Sequence, residues 1–144
     1  MIAVFAQAEQ AVTRAEISAW LKQEEDPAYE ECTDVMFATF LNGLINKLRG
    51  KKEGPQAAPE EKLNNNIILR KLKIAFDLQA DDILSLLLTA NLAISKHELS
   101  AFFRKPGHKH YRACKDQILR NFLMELQINY RGGERPETEE GEEA

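Results

Sequence analysis

The spacing Tyr-x-x-Cys-x-Asp occurs twice in this chain, as Tyr29, Cys32, Asp34 and as Tyr111, Cys114, Asp116. A thiol just ahead of a helix N-terminus, or beside cations, loses its proton more readily, and the thiolate is the nucleophile and metal ligand. Only the second occurrence has histidines close by, His108 and His110, and neither cysteine has a CxxC partner. The architectural reading accounts for both occurrences at once. A loop ends on a helix, Thr33 or Asp34 caps it or sits in its first turn, and Tyr and Cys plug the loop onto the core. His108, His110 and Cys114 could supply zinc donors, but a structural zinc site takes four ligands and no fourth is evident. At the matching positions the first occurrence has Asp26, Ala28 and Cys32, so a fold shared by both needs no metal. The expectation is a structural signature, with no metal, no cofactor and reduced thiols.

A second constellation is electrostatic. Arg104, Lys105, Lys109, Arg112, Lys115 and Arg120, joined by His108 and His110, form the strongest positive cluster of the chain, and Lys96 joins them as a candidate polyanion-binding residue. Such clusters attract phosphates without sequence specificity. The stretch 82–105 also has the outline of a helix-turn-helix. A short apolar helix leads through Ala90-Asn91-Leu92-Ala93 into a second helix that would present Ser95, Lys96, His97, Ser100 and Arg104 to a groove. Against a nucleic-acid role, the first copy carries Glu9, Glu16, Glu24 and Glu25 around the same helix, and the isoelectric point is about 5.5. Enzymatic motifs are missing: no glycine-rich phosphate loop, no His-Glu-x-x-His and no Gly-x-Ser-x-Gly. Acidic runs such as Glu24-Glu25-Asp26 read as solvated faces. The chain is expected not to be an enzyme.

These residues are positioned by an internal repeat. A shift of 82 positions superposes Tyr29, Cys32, Asp34, Phe40, Leu41, Leu44, Arg49 and Gly50 on Tyr111, Cys114, Asp116, Phe122, Leu123, Leu126, Arg131 and Gly132 without a gap. The second copy begins near Asn64, whereas Met1 already lies opposite Ile83, so 64–82 has no counterpart in the first copy. The expected organisation is a first repeat at 1–50, a linker at 51–63, a complete second repeat at 64–132 and an acidic, disordered tail at 133–144. Net charges along these segments are −4, 0, +5 and −5. Apolar residues recur at a helical period, as in Phe37, Phe40, Leu41, Leu44, Ile45 and Leu48. Capping boxes open two helices at Thr13-Arg14-Ala15-Glu16 and Ser95-Lys96-His97-Glu98. Short apolar helices are expected before them at 2–9 and 81–90, and an unmatched helix at 66–78. With strand signals absent, the fold class is all-α, a tandem repeat of a four-helix unit whose first copy is cut to three.

A four-helix unit short of one helix leaves an apolar groove, bounded by Val4, Phe5, Ile17, Trp20 and Leu21. Leaving several hundred Å² of it wet would cost several kcal/mol at about 25 cal/mol per Å². A homodimer, or repacking that covers the groove, is expected.

The Asn64-Asn65-Asn66-Ile67-Ile68-Leu69-Arg70 run, Glu16-Ile17-Ser18-Ala19-Trp20-Leu21-Lys22, the Tyr-x-x-Cys-x-Asp motif and Phe40-Leu41-Asn42-Gly43-Leu44-Ile45 through Arg49-Gly50 together resemble the YehS-like family of bacterial proteins. That family is a domain of unknown function present in two copies, and the resemblance covers 2–132. It implies a fold and a compartment, not a reaction. Family members typically open with their own Asn-Asn-x-x-Leu-Arg helix, from which this chain departs. A start codon assigned too far downstream is the favoured explanation, a truncated gene the other. The hydropathy shows no run of roughly 20 apolar residues and no secretory signal, so the expected location is cytoplasmic. The expected role is binding a protein partner or a second copy. Nucleic-acid binding through the second repeat is the alternative.

Overall fold

The computed structural model describes residues 1–51, 53–54 and 56–130; for Tyr130 it describes the backbone alone. The acidic tail expected at 133–144 lies outside the described residues. Among these, the secondary structure is seven α-helices and no strand: α1 (Ile2–Gln7), α2 (Arg14–Trp20), α3 (Asp34–Arg49), α4 (Asn65–Ala75), α5 (Ala80–Thr89), α6 (Lys96–Phe102) and α7 (Asp116–Tyr130). No described helix is long and apolar enough to cross a membrane.

Local chemistry sets the helix starts. At α2 the Thr13 hydroxyl accepts from the Glu16 N–H at 3.1 Å while the Glu16 carboxylate accepts from the Thr13 N–H at 2.8 Å. Ser95 and Glu98 repeat the arrangement on α6 at 3.0 and 2.8 Å. Each pair satisfies two amide groups that have no partner inside the helix. Thr33 caps α3 by accepting from Met36 N–H, and Asn64 caps α4 by accepting from Ile67 N–H. The helix stops also repeat. Glu9 and Asn91, in register, adopt positive φ of 61° and 63°, and the next amide of each turns back onto the carbonyl of Phe5 or Leu87. This turn ends α1 at Gln7 rather than at the expected Glu9. A positive φ of 54° at Asp77, just beyond α4, closes that helix at Ala75, short of the expected Leu78.

The chain forms two compact units, Met1–Leu78 and Gln79 onward. In the first, α3 is the central helix, packed by α1 and by α4. The approach of α1 depends on Gly43: a Cβ there would overlap the carbonyl oxygen of Val4. On α4, Lys71 Nζ donates to Asn42 Oδ1 at 2.6 Å and pairs with Glu60 at 3.1 Å. The segment after α3, read from sequence as a linker, is held to this unit. Gln56 Oε1 accepts from Asn46 Nδ2 at 2.9 Å, and Leu63 N–H donates to Asp34 at 2.8 Å. In the second unit α5 packs on α6 and α7 around Ile83, Leu87, Leu99 and Phe122, each 1% exposed or less. Sequence register places α4 at the head of the second copy, whereas packing groups it with the first unit.

Candidate functional site

An apolar cavity of the first unit, about 280 Å³ in volume, opens between α1, α2 and α3. Its floor is a cluster of rings. Phe5 lies 5.7 Å from Trp20 and 5.3 Å from Phe40, centroid to centroid, in tilted geometries that aromatic pairs favour. Ile17, Phe37 and Cys32 complete the walls, and Met1 and Leu21 form the rim, 57% and 66% exposed. Four of the five residues expected to bound an apolar opening thus line one: Phe5, Ile17, Trp20 and Leu21. The fifth, Val4, is buried against Gly43. Met1, Cys32, Phe37 and Phe40 were not singled out from the sequence. The repeat register carried the signal, because Phe37 and Phe40 match Leu119 and Phe122.

That register gives the cavity its meaning. In the second unit the positions equivalent to Met1, Phe5, Ile17, Trp20, Cys32, Phe37 and Phe40 are Ile83, Leu87, Leu99, Phe102, Cys114, Leu119 and Phe122, all 8% exposed or less. What is closed core in one copy is open pocket in the other. The loop beside the pocket runs from Leu21 to Cys32, two of its lining residues. Residues 22–34 carry one lysine against six carboxylates, and the equivalent 104–116 carry five lysines and arginines against one carboxylate. The backbone frame is shared: Glu30 N–H donates to Ala19 O and Arg112 N–H to Ala101 O, each at 3.2 Å. Only the charge is inverted.

The structure leaves Lys96, Lys105, Lys109, Arg112, Lys115 and Arg120 exposed, with Arg104 half-buried. Lys96 approaches Asp81 at 3.5 Å, but both are largely solvated, so the pairing is worth little. Of the proposed recognition face, Ser95, Lys96, His97 and Ser100 are exposed on or beside α6, which spans seven residues. His108 Nδ1 accepts from the His110 N–H at 3.0 Å, and the two rings lie 5.5 Å apart. Among the described residues no three His, Cys, Asp or Glu side chains gather to hold a metal ion.

Tyr29 and Tyr111 occupy matching turns, their amides donating to Asp26 O and His108 O. Cys32 and Cys114 each sit one residue before the residue that leads into α3 or α7, and Asp34 and Asp116 begin those helices. Burial, and secondarily the nearby Asp116, pushes the Cys114 thiol up to about 11; burial and then Asp34 raise Cys32. These directions oppose the lowering a reactive thiolate needs. A second cavity of about 660 Å³, of mixed lining with Asn42, Asn46, Arg49, Gln56 and Lys71 beside Ile45, Pro59 and Ile74, arises from the return of the 56–60 segment and α4 onto α3. No sequence pattern pointed to it, since it depends on that tertiary return.

A family model described as "Protein of unknown function (DUF1456)" matches residues 1–50 and 65–132. The chain is similar to the "Uncharacterized protein YehS" of Escherichia coli (strain K12), at 45% identity over 115 residues, which is 79% of this chain and 74% of that protein. No solved structure matches.

Proposed function

The chain belongs to the DUF1456 family, and from that premise we propose that it is a non-enzymatic, helical-repeat protein-binding module whose recognition element is the Phe5–Trp20–Phe40 pocket. One observation carries the reading: this pocket is open at positions the second copy of the same fold closes. A rigid aromatic floor with apolar walls suits capture of a large aliphatic or aromatic side chain, the kind of anchor that dominates protein interfaces. The tandem four-helix plan is part of the proposal, with α4 as the opening helix of the second repeat. A cytoplasmic setting fits two free thiols.

Trp20 is the chain's single tryptophan, so it reports on the pocket directly. Titration with a Leu- and Lys-rich helical peptide should shift its emission to the blue, in moderate salt as well as low. Leu21→Asp, at an exposed rim position, should abolish the shift. An unchanged spectrum at saturating peptide would overturn the reading.

The second reading, nucleic-acid binding through the α5–α6 pair and the basic loop, is favoured by the exposure of Lys96, His97 and Ser100 on one short capped helix. Its signature is salt. For about six phosphate contacts, affinity should fall roughly a thousandfold between about 50 and 200 mM salt. Apolar capture tolerates that change.

A further inference from the structure

We propose that the occupant of the pocket is a second copy of this chain, which inserts the Leu123–Met124 face of its α7. The inference rests on the protein-binding reading of the pocket and names its partner. Leu123 and Met124 are adjacent, 40% and 51% exposed, on the outer face of α7. Their register equivalents are Leu41 and Asn42. Leu41 is 2% exposed, and Asn42 accepts from Lys71 of α4. In the first unit this helix face is therefore covered by another helix. In the second unit, among the described residues, no helix of the unit takes that place, and two large apolar side chains meet solvent.

Charge matches the two surfaces. The pocket is flanked by the loop with six carboxylates and one lysine, and α7 is entered from the loop with five cations and one carboxylate. Arg120 precedes Leu123 and Met124 by three and four residues, so it shares their face and reaches the rim of whatever they contact. A single chain thus carries an acidic-rimmed apolar socket and a basic-flanked apolar knob, both exposed. Opposite charges of this kind steer encounter and fix register, while the buried apolar anchors hold the complex.

The test uses the full chain and light scattering across a wide concentration range, with Trp20 emission read in parallel. The wild type should associate, and its emission should shift to the blue as it does. Leu123→Ser with Met124→Ser should weaken association by about tenfold or more, as should Leu21→Asp. All three positions are exposed, so helicity by circular dichroism should be unchanged. Mixing the two variants should restore a heterodimer, because each mixed pair keeps one intact socket and one intact knob. A wild type that stays monomeric throughout, or association that survives the Leu123→Ser, Met124→Ser change, overturns the proposal. If the wild type is monomeric yet the basic peptide still shifts Trp20, the protein-binding reading stands and the second copy is not the partner.

Discussion

Gly43 decides how closely α1 can lie on α3. With hydrogen in place of Cβ, the backbone of Val4 comes to rest on it, and Phe5 follows into the ring cluster that floors the pocket. The second copy has Glu125 at this register, 4% exposed. Gly43→Val should push α1 off α3 and cost about 1–3 kcal/mol in denaturant unfolding, the usual penalty for overpacking. A loss below a few tenths would show that α1 is free to move aside. The cysteines make a second residue-scale prediction. Because burial lifts Cys114 from an ordinary 9.0 to about 11, the native state holds that proton more tightly than the unfolded chain. Its contribution to stability is complete below pH 9.0 and is lost as pH rises through about 11. Cys114→Ala should remove this component of the alkaline fall, which urea midpoints taken at a series of pH values for both proteins would reveal. The position of both thiols was legible in the Tyr-x-x-Cys-x-Asp spacing. The direction of their shift was not, because desolvation depends on packing that no local spacing encodes.

At the scale of elements, what sequence reading captured was what is decided within four residues. The Thr13–Glu16 and Ser95–Glu98 pairs form because donor and acceptor sit three residues apart on a single turn, so their spacing is itself the geometry. Ends were harder. The turn at Glu9 and the one at Asn91 share a left-handed conformation, but only asparagine advertises it; glutamate pays a steric penalty that its neighbours impose. Glu9→Asn should therefore stabilise the first unit by up to about 1 kcal/mol. The exposed Glu9–Lys51 pair it removes, at 3.1 Å, is worth little. A thermal melt of the variant against the wild type decides it; a lower midpoint would mean that the carboxylate matters more than the strain. The partner of α4 was not legible. An amphipathic stripe says that one face is buried and leaves open against what. The contacts that choose α3, such as Lys71 on Asn42, join residues 29 positions apart.

Across the whole molecule the two copies share a backbone plan and differ in what they leave undone. The first opens its core to solvent beside an acidic loop; the second closes its core, leaves a knob on α7 and carries the basic loop. Positions in register between the two copies differ in burial and in charge, and the proposed association through the pocket and α7 rests on those differences. The internal comparison made part of this readable from sequence: Phe5, Ile17, Trp20 and Leu21 were identified as the open side because nothing in the first copy matches 64–82. The identity of the floor required the packing of α3. The charge asymmetry also bears on the polyanion alternative. Residues 134–144 hold six glutamates and one arginine, and they follow a repeat of charge +5. Exposed ion pairs contribute about 0–1 kcal/mol each and weaken with salt. If the tail competes with phosphates for the basic loop, deleting residues 134–144 should raise affinity for a short DNA duplex at low salt by up to about tenfold. The gain should vanish as salt approaches physiological strength, where the screening length is about 8 Å. Fluorescence anisotropy with a labelled duplex measures both arms. Equal affinities with and without the tail at low salt would dispose of the competition. A gain that persists at high salt would point to an effect other than charge.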